Sequence, residues 1–178
     1  LQALKFCHSH NIGAFRINSQ ILPVKTHPEA GYAVETLPDS KSIVATFRRC
    51  GVFSREYDIR TSFHPDQFVV LNSPRSDVVE RSIAELAYQS QVAEWVDADV
   101  INIHGGGGYG DKPNALKRLT RNIQRLPKSI RGRLTLENDD RVDSPSHLLP
   151  VCKDTGSPFV YDVHHHRCMP DGRGEKET

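Results

Sequence analysis

The feature that most limits how this chain can fold is a regular alternation of short apolar runs with longer amphipathic stretches. The apolar runs begin near residues 14, 59, 100, 134 and 159. Their mean spacing of about 36 residues is close to the roughly 31 residues per βα unit of a TIM barrel. Strands are expected over 14–18, 59–63, 100–103, 134–136 and 159–163. Helices are expected over 3–10, 40–49, 77–96, 114–126 and 144–151. Asn11, Ile12 and Gly13 stop the first helix, and Gly51 is expected to end the second. Ser76 stands in a capping position, and Val79, Ile83, Leu86, Ala87, Val92 and Trp95 give the long third helix one apolar face. Pro23, Pro28 and Gly31 mark a loop after the first strand. Eight strands do not fit in 178 residues at this pitch. The pattern is therefore either an open doubly wound sheet or a single domain over 1–178 made of about five consecutive units of an α/β TIM (β/α)8 barrel.

Composition excludes several classes. Hydrophobic residues make up 37% and charged residues 25%, which suits a folded core and not a disordered chain. No apolar run approaches the roughly 18 residues of a membrane span, and no basic-headed apolar leader is visible. The first residue is Leu1, so the natural N-terminus is expected to lie outside the sequence. Cys7, Cys50, Cys152 and Cys168 form no C-x-x-C pair and read as reduced thiols of an intracellular protein. A net charge of +1 says little about nucleic acid. Basic residues cluster over 117–125 and 128–133, a pattern more often a solvated helix face and loop than a binding surface. The polar stretch 171–178 is expected to end in mid-fold.

Chemistry concentrates where the strands end. The run at 59 finishes in His64, that at 100 in His104 and that at 134 in Glu137, while the last leads to Asp162 and then His164, His165 and His166. In parallel β/α folds the active site lies at those C-terminal ends. One histidine at a strand end is usually a hydrogen-bonded boundary residue. The same pattern on four strands instead points to a site for Zn²⁺ or Mn²⁺. Two close divalent ions need a shared carboxylate between them, and Glu137 lies in the middle of the set. Such a cluster activates water and stabilises both oxygens of a phosphoryl displacement.

The run Gly105, Gly106, Gly107, Gly108, Tyr109, Gly110 matches G-x-G-x-x-G, but weakly. A dinucleotide fold has no use for His104 at the strand end. Asp111 follows Gly110 where a phosphate-binding loop requires lysine. The glycines read better as backbone that must stay close to a bulky substrate, with Lys112 able to meet a phosphate.

Five blocks carry a resemblance to the UV-damage endonucleases. They are Phe15-Arg16-Ile17-Asn18-Ser19; Phe63-His64-Pro65-Asp66-Gln67-Phe68; Ile103 through Lys112, which includes the glycine run; Leu136-Glu137-Asn138-Asp139-Asp140; and Tyr161-Asp162-Val163-His164-His165-His166. The resemblance implies a TIM barrel whose first strand and last strands lie outside the sequence. It implies a divalent metal cluster, commonly Mn²⁺ with Zn²⁺ or Mg²⁺ as alternatives. The substrate it implies is double-stranded DNA containing UV lesions, nicked 5′ to the photoproduct to leave a 3′-hydroxyl. By the same resemblance His64, His104 and Glu137 hold metal, with Glu137 bridging, and Asp162 and His165 supply ligands from the next strand. His27 matches a histidine near the reacting phosphate. Gln67 and Phe68 match the pair that probes the flipped bases, at a position where family members often carry tyrosine in place of Phe68. A different reading makes Phe68 the start of a buried run with Val69, Val70 and Leu71. A monomer with no membrane association is expected. The alternatives for the chain are a metal-dependent sugar isomerase or epimerase of the same superfamily, or an inactive truncated module. The Gln67-Phe68 pair and the glycine run argue against the isomerase, which needs a closed polar pocket.

Overall fold

The computed structural model describes residues 1–174. The second half of the polar tail expected over 171–178 therefore lies outside the described residues. The elements run in the order α1 (Gln2–Ser9), β1 (Ala14–Ile17), α2 (Ser40–Glu56), β2 (Arg60–Phe63), α3 (Ser76–Trp95), β3 (Val100–His104), α4 (Lys112–Arg125), α5 (Lys128–Arg131), β4 (Leu134–Glu137), α6 (Pro145–Thr155), β5 (Phe159–Val160) and α7 (Val163–Cys168). A single 3₁₀ turn, Val34–Thr36, interrupts the loop after β1. The strands form one five-stranded sheet in chain order, with β1 and β5 at its ends. The pairs β1/β2, β2/β3 and β4/β5 are parallel. Parallel strands in sequential order, each followed by a helix, are the topology of consecutive TIM-barrel units. Among the described residues no helix is long and apolar enough to cross a membrane.

Two compact units make up the chain. The first comprises Leu1–His64 and Ala87–Ile101. Its core joins buried Leu4, Cys7 and Ile59 to partly buried Phe15, Cys50 and Phe53. Phe47 stacks on Trp95 with ring centroids 5.8 Å apart. Arg55 reaches Asp97 at 2.7 Å and Asp99 at 2.9 Å, and Asp99 in turn accepts the Thr61 amide at 2.9 Å, so one guanidinium indirectly registers α2 against β2. An apolar cavity of about 420 Å³ opens among Leu4, Phe15, Ile17, Ile43, Phe47 and Val96.

The second unit comprises Pro65–Leu86 and the residues from Asn102 on. All four residues of β4 are buried. Its partner β5 pairs Leu136 with Phe159 and Glu137 with Val160. Amphipathic α4 buries Ala115, Leu119 and Ile123, and α6 buries Leu148, Val151 and Cys152. Asp111 caps α4 by accepting the Asn114 amide, and Gly156 ends α6 in the left-handed conformation that favours glycine.

Two sequence expectations are corrected. Gly51 does not end α2, which continues to Glu56. A methyl group on Gly51 would lie 2.7 Å from the Val96 carbonyl oxygen, so this glycine serves close packing and not a turn. The last strand stops at Val160 and not near 163, because Asp162 turns the chain into α7 and its carboxylate accepts the His165 amide at 2.8 Å. The four cysteines are free thiols, as expected.

Gly51→Ala is expected to destabilise the protein by about 1–3 kcal/mol, since the added carbon meets rigid backbone and must push α2 outward. Urea denaturation of the variant measures this, and an unchanged midpoint contradicts the packing role.

Candidate metal centre

Glu137 is the last residue of β4, buried to 7% exposure. In register with Glu137 on the neighbouring strand, β5 ends at Val160, and the chain then delivers Asp162 and His165 across a single turn of α7. Glu137, Asp162 and His165 each place a potential ligand atom within 4.8 Å of the others. His104, at the end of β3, stands beside them, its ring centroid 5.5 Å from that of His165. Carboxylates and imidazoles at this separation, Glu137 buried and the others half-buried, are the hard-to-borderline donor set that Mn²⁺ or Zn²⁺ accepts.

The surrounding hydrogen bonds fix the orientation of these side chains. The His165 Nδ1 lies 2.8 Å from the Asn138 carbonyl oxygen. A carbonyl can only accept, so Nδ1 carries the proton and the lone pair is on Nε2. The His104 Nδ1 has the Glu137 carbonyl as its neighbour at 3.4 Å, a longer version of the same arrangement. Backbone carbonyls that fix the tautomer in this way are the usual outer partners of metal-binding histidines. The Asn102 amide donates to the Glu137 carboxylate and its oxygen accepts from the Thr135 hydroxyl at 2.8 Å. The His165 amide, foremost, holds the Asp162 carboxyl below the ordinary carboxylate value against the opposing effect of burial.

Asn138 is the organiser that sequence reasoning missed. It is fully buried. Its side-chain oxygen accepts the Asp162 amide at 2.8 Å and its NH₂ donates to the Asp162 carbonyl at 2.9 Å. The only signal in the sequence was its place beside Glu137 in the block 136–140.

The glycine run is built around two further buried polar residues. Asn72 donates to the Gly107 carbonyl at 2.8 Å and accepts the Gly107 amide at 3.1 Å. A methyl group on Gly106, whose φ is 97°, would collide with this asparagine. One on Gly105 would collide with Asp143. The Lys112 ammonium is engaged: it donates to the Val142 carbonyl at 2.5 Å and to the buried Asp143 carboxylate at 2.7 Å. Burial pushes the Asp143 carboxyl up, while Lys112 pulls it down.

Of the other expected residues, His64 is half-buried directly after β2, in the first unit. His27 is exposed on the loop after β1, where its Nδ1 accepts the Glu29 and Ala30 amides, both at 3.1 Å. Gln67 and Phe68 are exposed, Phe68 to 74%, while Val69 and Leu71 are buried. Phe68 therefore does not join the buried run. Of the three histidines, His164 is exposed, His165 is in the cluster and His166 is buried away from it.

Consecutive βα units that bring carboxylates and imidazoles together at the ends of their strands define a TIM-barrel protein with a candidate divalent-metal centre. The chain belongs to the UV-endonuclease UvdE family, whose model matches residues 1–178. It is 38% identical over 180 residues to a UV DNA damage endonuclease of Bacillus pumilus (strain SAFR-032), covering 99% of this chain and 55% of that protein. It is 37% identical over 173 residues to one of Bacillus velezensis (strain DSM 23117 / BGSC 10A6 / LMG 26770 / FZB42), covering 96% and 52%. The chain thus spans about half the length of the curated relatives it matches. Among solved structures, SacUVDE superimposes with a TM-score of 0.90 at 34% identity, over 98% of this chain and 59% of that one. A D-psicose 3-epimerase from Clostridium cellulolyticum H10 gives a TM-score of 0.70 at 13% identity, over 97% and 61% of the two chains, a likeness of fold alone.

Asn138→Asp keeps the shape but replaces a donor with an acceptor facing the Asp162 carbonyl. It is expected to cost about 1–3 kcal/mol of stability at neutral pH, read by urea denaturation. A variant as stable as the parent rules out the clasp.

Proposed function

We propose that this chain supplies the central barrel units of a DNA-repair endonuclease that nicks duplex DNA on the 5′ side of UV photoproducts by metal-assisted phosphodiester hydrolysis. The observation that carries this reading is the convergence of Glu137, Asp162 and His165 at strand ends in a chain of the UvdE family. The donor set fits a divalent ion, because two carboxylates and an imidazole each offer one ligand atom within 4.8 Å of the others.

In this reading Glu137, Asp162, His165 and His104 would hold divalent ions, with Mn²⁺ the preferred metal; the Glu137 carboxylate would offset the repulsion between two close ions, and His64 takes the same role by the family resemblance. Bound ions supply positive charge to the scissile phosphate and lower the proton affinity of water at neutral pH. His27 acts at the phosphate as a donor: with Nδ1 accepting two amides, its neutral ring carries the proton on Nε2. Lys112 uses two of its three N–H donors on Val142 and Asp143 and offers the third to a phosphate oxygen. Gln67 replaces lost base pairing at the lesion, and Phe68 offers an exposed face on which a base stacks. The product has a 3′-hydroxyl. One barrel domain, acting as a monomer, is the form in which this chemistry is read.

In the full-length protein Glu137→Gln is expected to lose bound Mn²⁺ by elemental analysis and to nick irradiated duplex slower by on the order of 100-fold or more. Binding of irradiated duplex is retained. Undiminished nicking in manganese would rule out the bridging carboxylate.

Gln67→Ala combined with Phe68→Ala is expected to keep metal content and melting temperature. Its kcat/KM on irradiated duplex falls about 5- to 150-fold, the equivalent of about 1–3 kcal/mol of stacking. Normal incision by the double variant removes the pair from lesion recognition.

A further inference from the structure

His166 has an environment unlike that of its neighbours. It is 5% exposed, and both ring nitrogens are occupied. Its Nδ1 lies 2.8 Å from the Tyr161 hydroxyl and its Nε2 lies 3.0 Å from Asp171 Oδ1. The other Asp171 oxygen accepts the Ser146 amide at 2.7 Å and the Ser146 hydroxyl at 2.5 Å. The Arg173 backbone amide donates to Asp171 Oδ1 at 3.1 Å, and the Arg173 Nε donates to the Ser146 hydroxyl at 3.0 Å. A carboxylate facing these donors is an acceptor only, so the His166 proton sits on Nε2 and Nδ1 accepts from tyrosine. The tautomer is the reverse of that of His165.

We propose that His166 is a positioning residue: through Tyr161 and Asp171 it ties helix α7 to the first turn of α6, and so holds Asp162 and His165 at the separation a divalent ion requires. This inference rests on the metal-centre reading above. The need for such a tie comes from the size of α7, six residues, too short to hold its own shape in water. Its first turn is fixed by Asn138 gripping the Asp162 backbone. Its other end would be loose without an anchor, and the chain provides one three residues beyond the helix, where Asp171 docks on α6. Ser146 lies in the first turn of α6, so Asp171 also caps a helix N-terminus from a distant part of the chain, a favourable place for a negative charge. His166 and Asp171 are both nearly enclosed, with side-chain exposures of 6% and 9%, so their bond is shielded from water. With both nitrogens spoken for, His166 is not a metal ligand.

The test measures Mn²⁺ affinity of the full-length protein by the electron paramagnetic resonance of the free ion, well below every variant's melting temperature. His166→Gln and Tyr161→Phe are compared with His165→Ala and Glu137→Gln. His166→Gln is expected to bind the same number of ions with affinity weakened about 10- to 100-fold, and Tyr161→Phe to weaken it less. The bound-ion spectrum broadens in both, a change that a general loss of stability does not produce. Wild-type affinity in His166→Gln overturns the inference, as does loss of one whole equivalent of metal, which would make His166 a ligand. If His166→Gln does not fold, Tyr161→Phe decides: unchanged affinity and spectrum overturn the brace. Unaltered binding by both His165→Ala and Glu137→Gln would instead remove the metal centre itself.

Discussion

The carboxamide of Asn138 exchanges two hydrogen bonds with the backbone of Asp162, and the Asn138 backbone carbonyl accepts a hydrogen bond from His165 Nδ1. This clasp is what the rest of the candidate site depends on. β5 has only two residues in register with β4, too little ladder to fix the direction of the chain beyond Val160. A buried amide that is satisfied on both its oxygen and its nitrogen is directional, and leaving either unpaired is costly. The clasp therefore sets where α7 begins, and α7 sets where the imidazole goes. Glu137, the residue immediately before Asn138, is pinned independently by Asn102 across the neighbouring strand. Acidic and imidazole donors thus reach one place through separate supports, both made of asparagine.

The loops around this centre are built in the same way. Asp139 closes its own turn by accepting the Arg141, Val142 and Asp143 amides. That turn presents the Asp143 carboxylate to Lys112, which comes from the start of α4. Gly105 and Gly106 are the residues that let Asp143 and Asn72 come this close to the loop after β3. The first two glycines of the run thus answer to buried polar side chains behind them, a requirement unrelated to the nucleotide-binding pattern they resemble.

Much of this was legible in the sequence, for physical reasons that can be named. The period of the apolar runs reports strands and helices directly, and five strands in order came from it. Glu137, Asp162 and the histidine run stood out because ligand types recurred where parallel strands end, and the choice of His165 within that run came from the family resemblance. The asparagines were not readable, since a neutral amide carries no periodic or charge signature and looks the same on a loop surface as in a clasp. Gly51 misled because a glycine needed for contact with Val96 has the same letter as one that ends a helix. Helix α7 was missed because six residues containing three histidines have no amphipathic period to detect. Phe68 was undecidable between a surface probe and a buried run, since its apolar neighbours Val69 and Leu71 are indeed buried.

The three consecutive histidines occupy three unlike places, and their opposed tautomers have a simple angular origin. Successive residues on a helix point about 100° apart, so His164 faces solvent, His165 the carboxylates and His166 the core. A repeated letter usually signals a segment that tolerates gain or loss of a unit. Here deletion of a single histidine would leave the composition almost unchanged, yet rotate every later residue of the helix by more than a quarter turn and draw Asp171 out of reach of Ser146. A stretch that looks redundant in the sequence is thus held to one length by the contacts at its two ends.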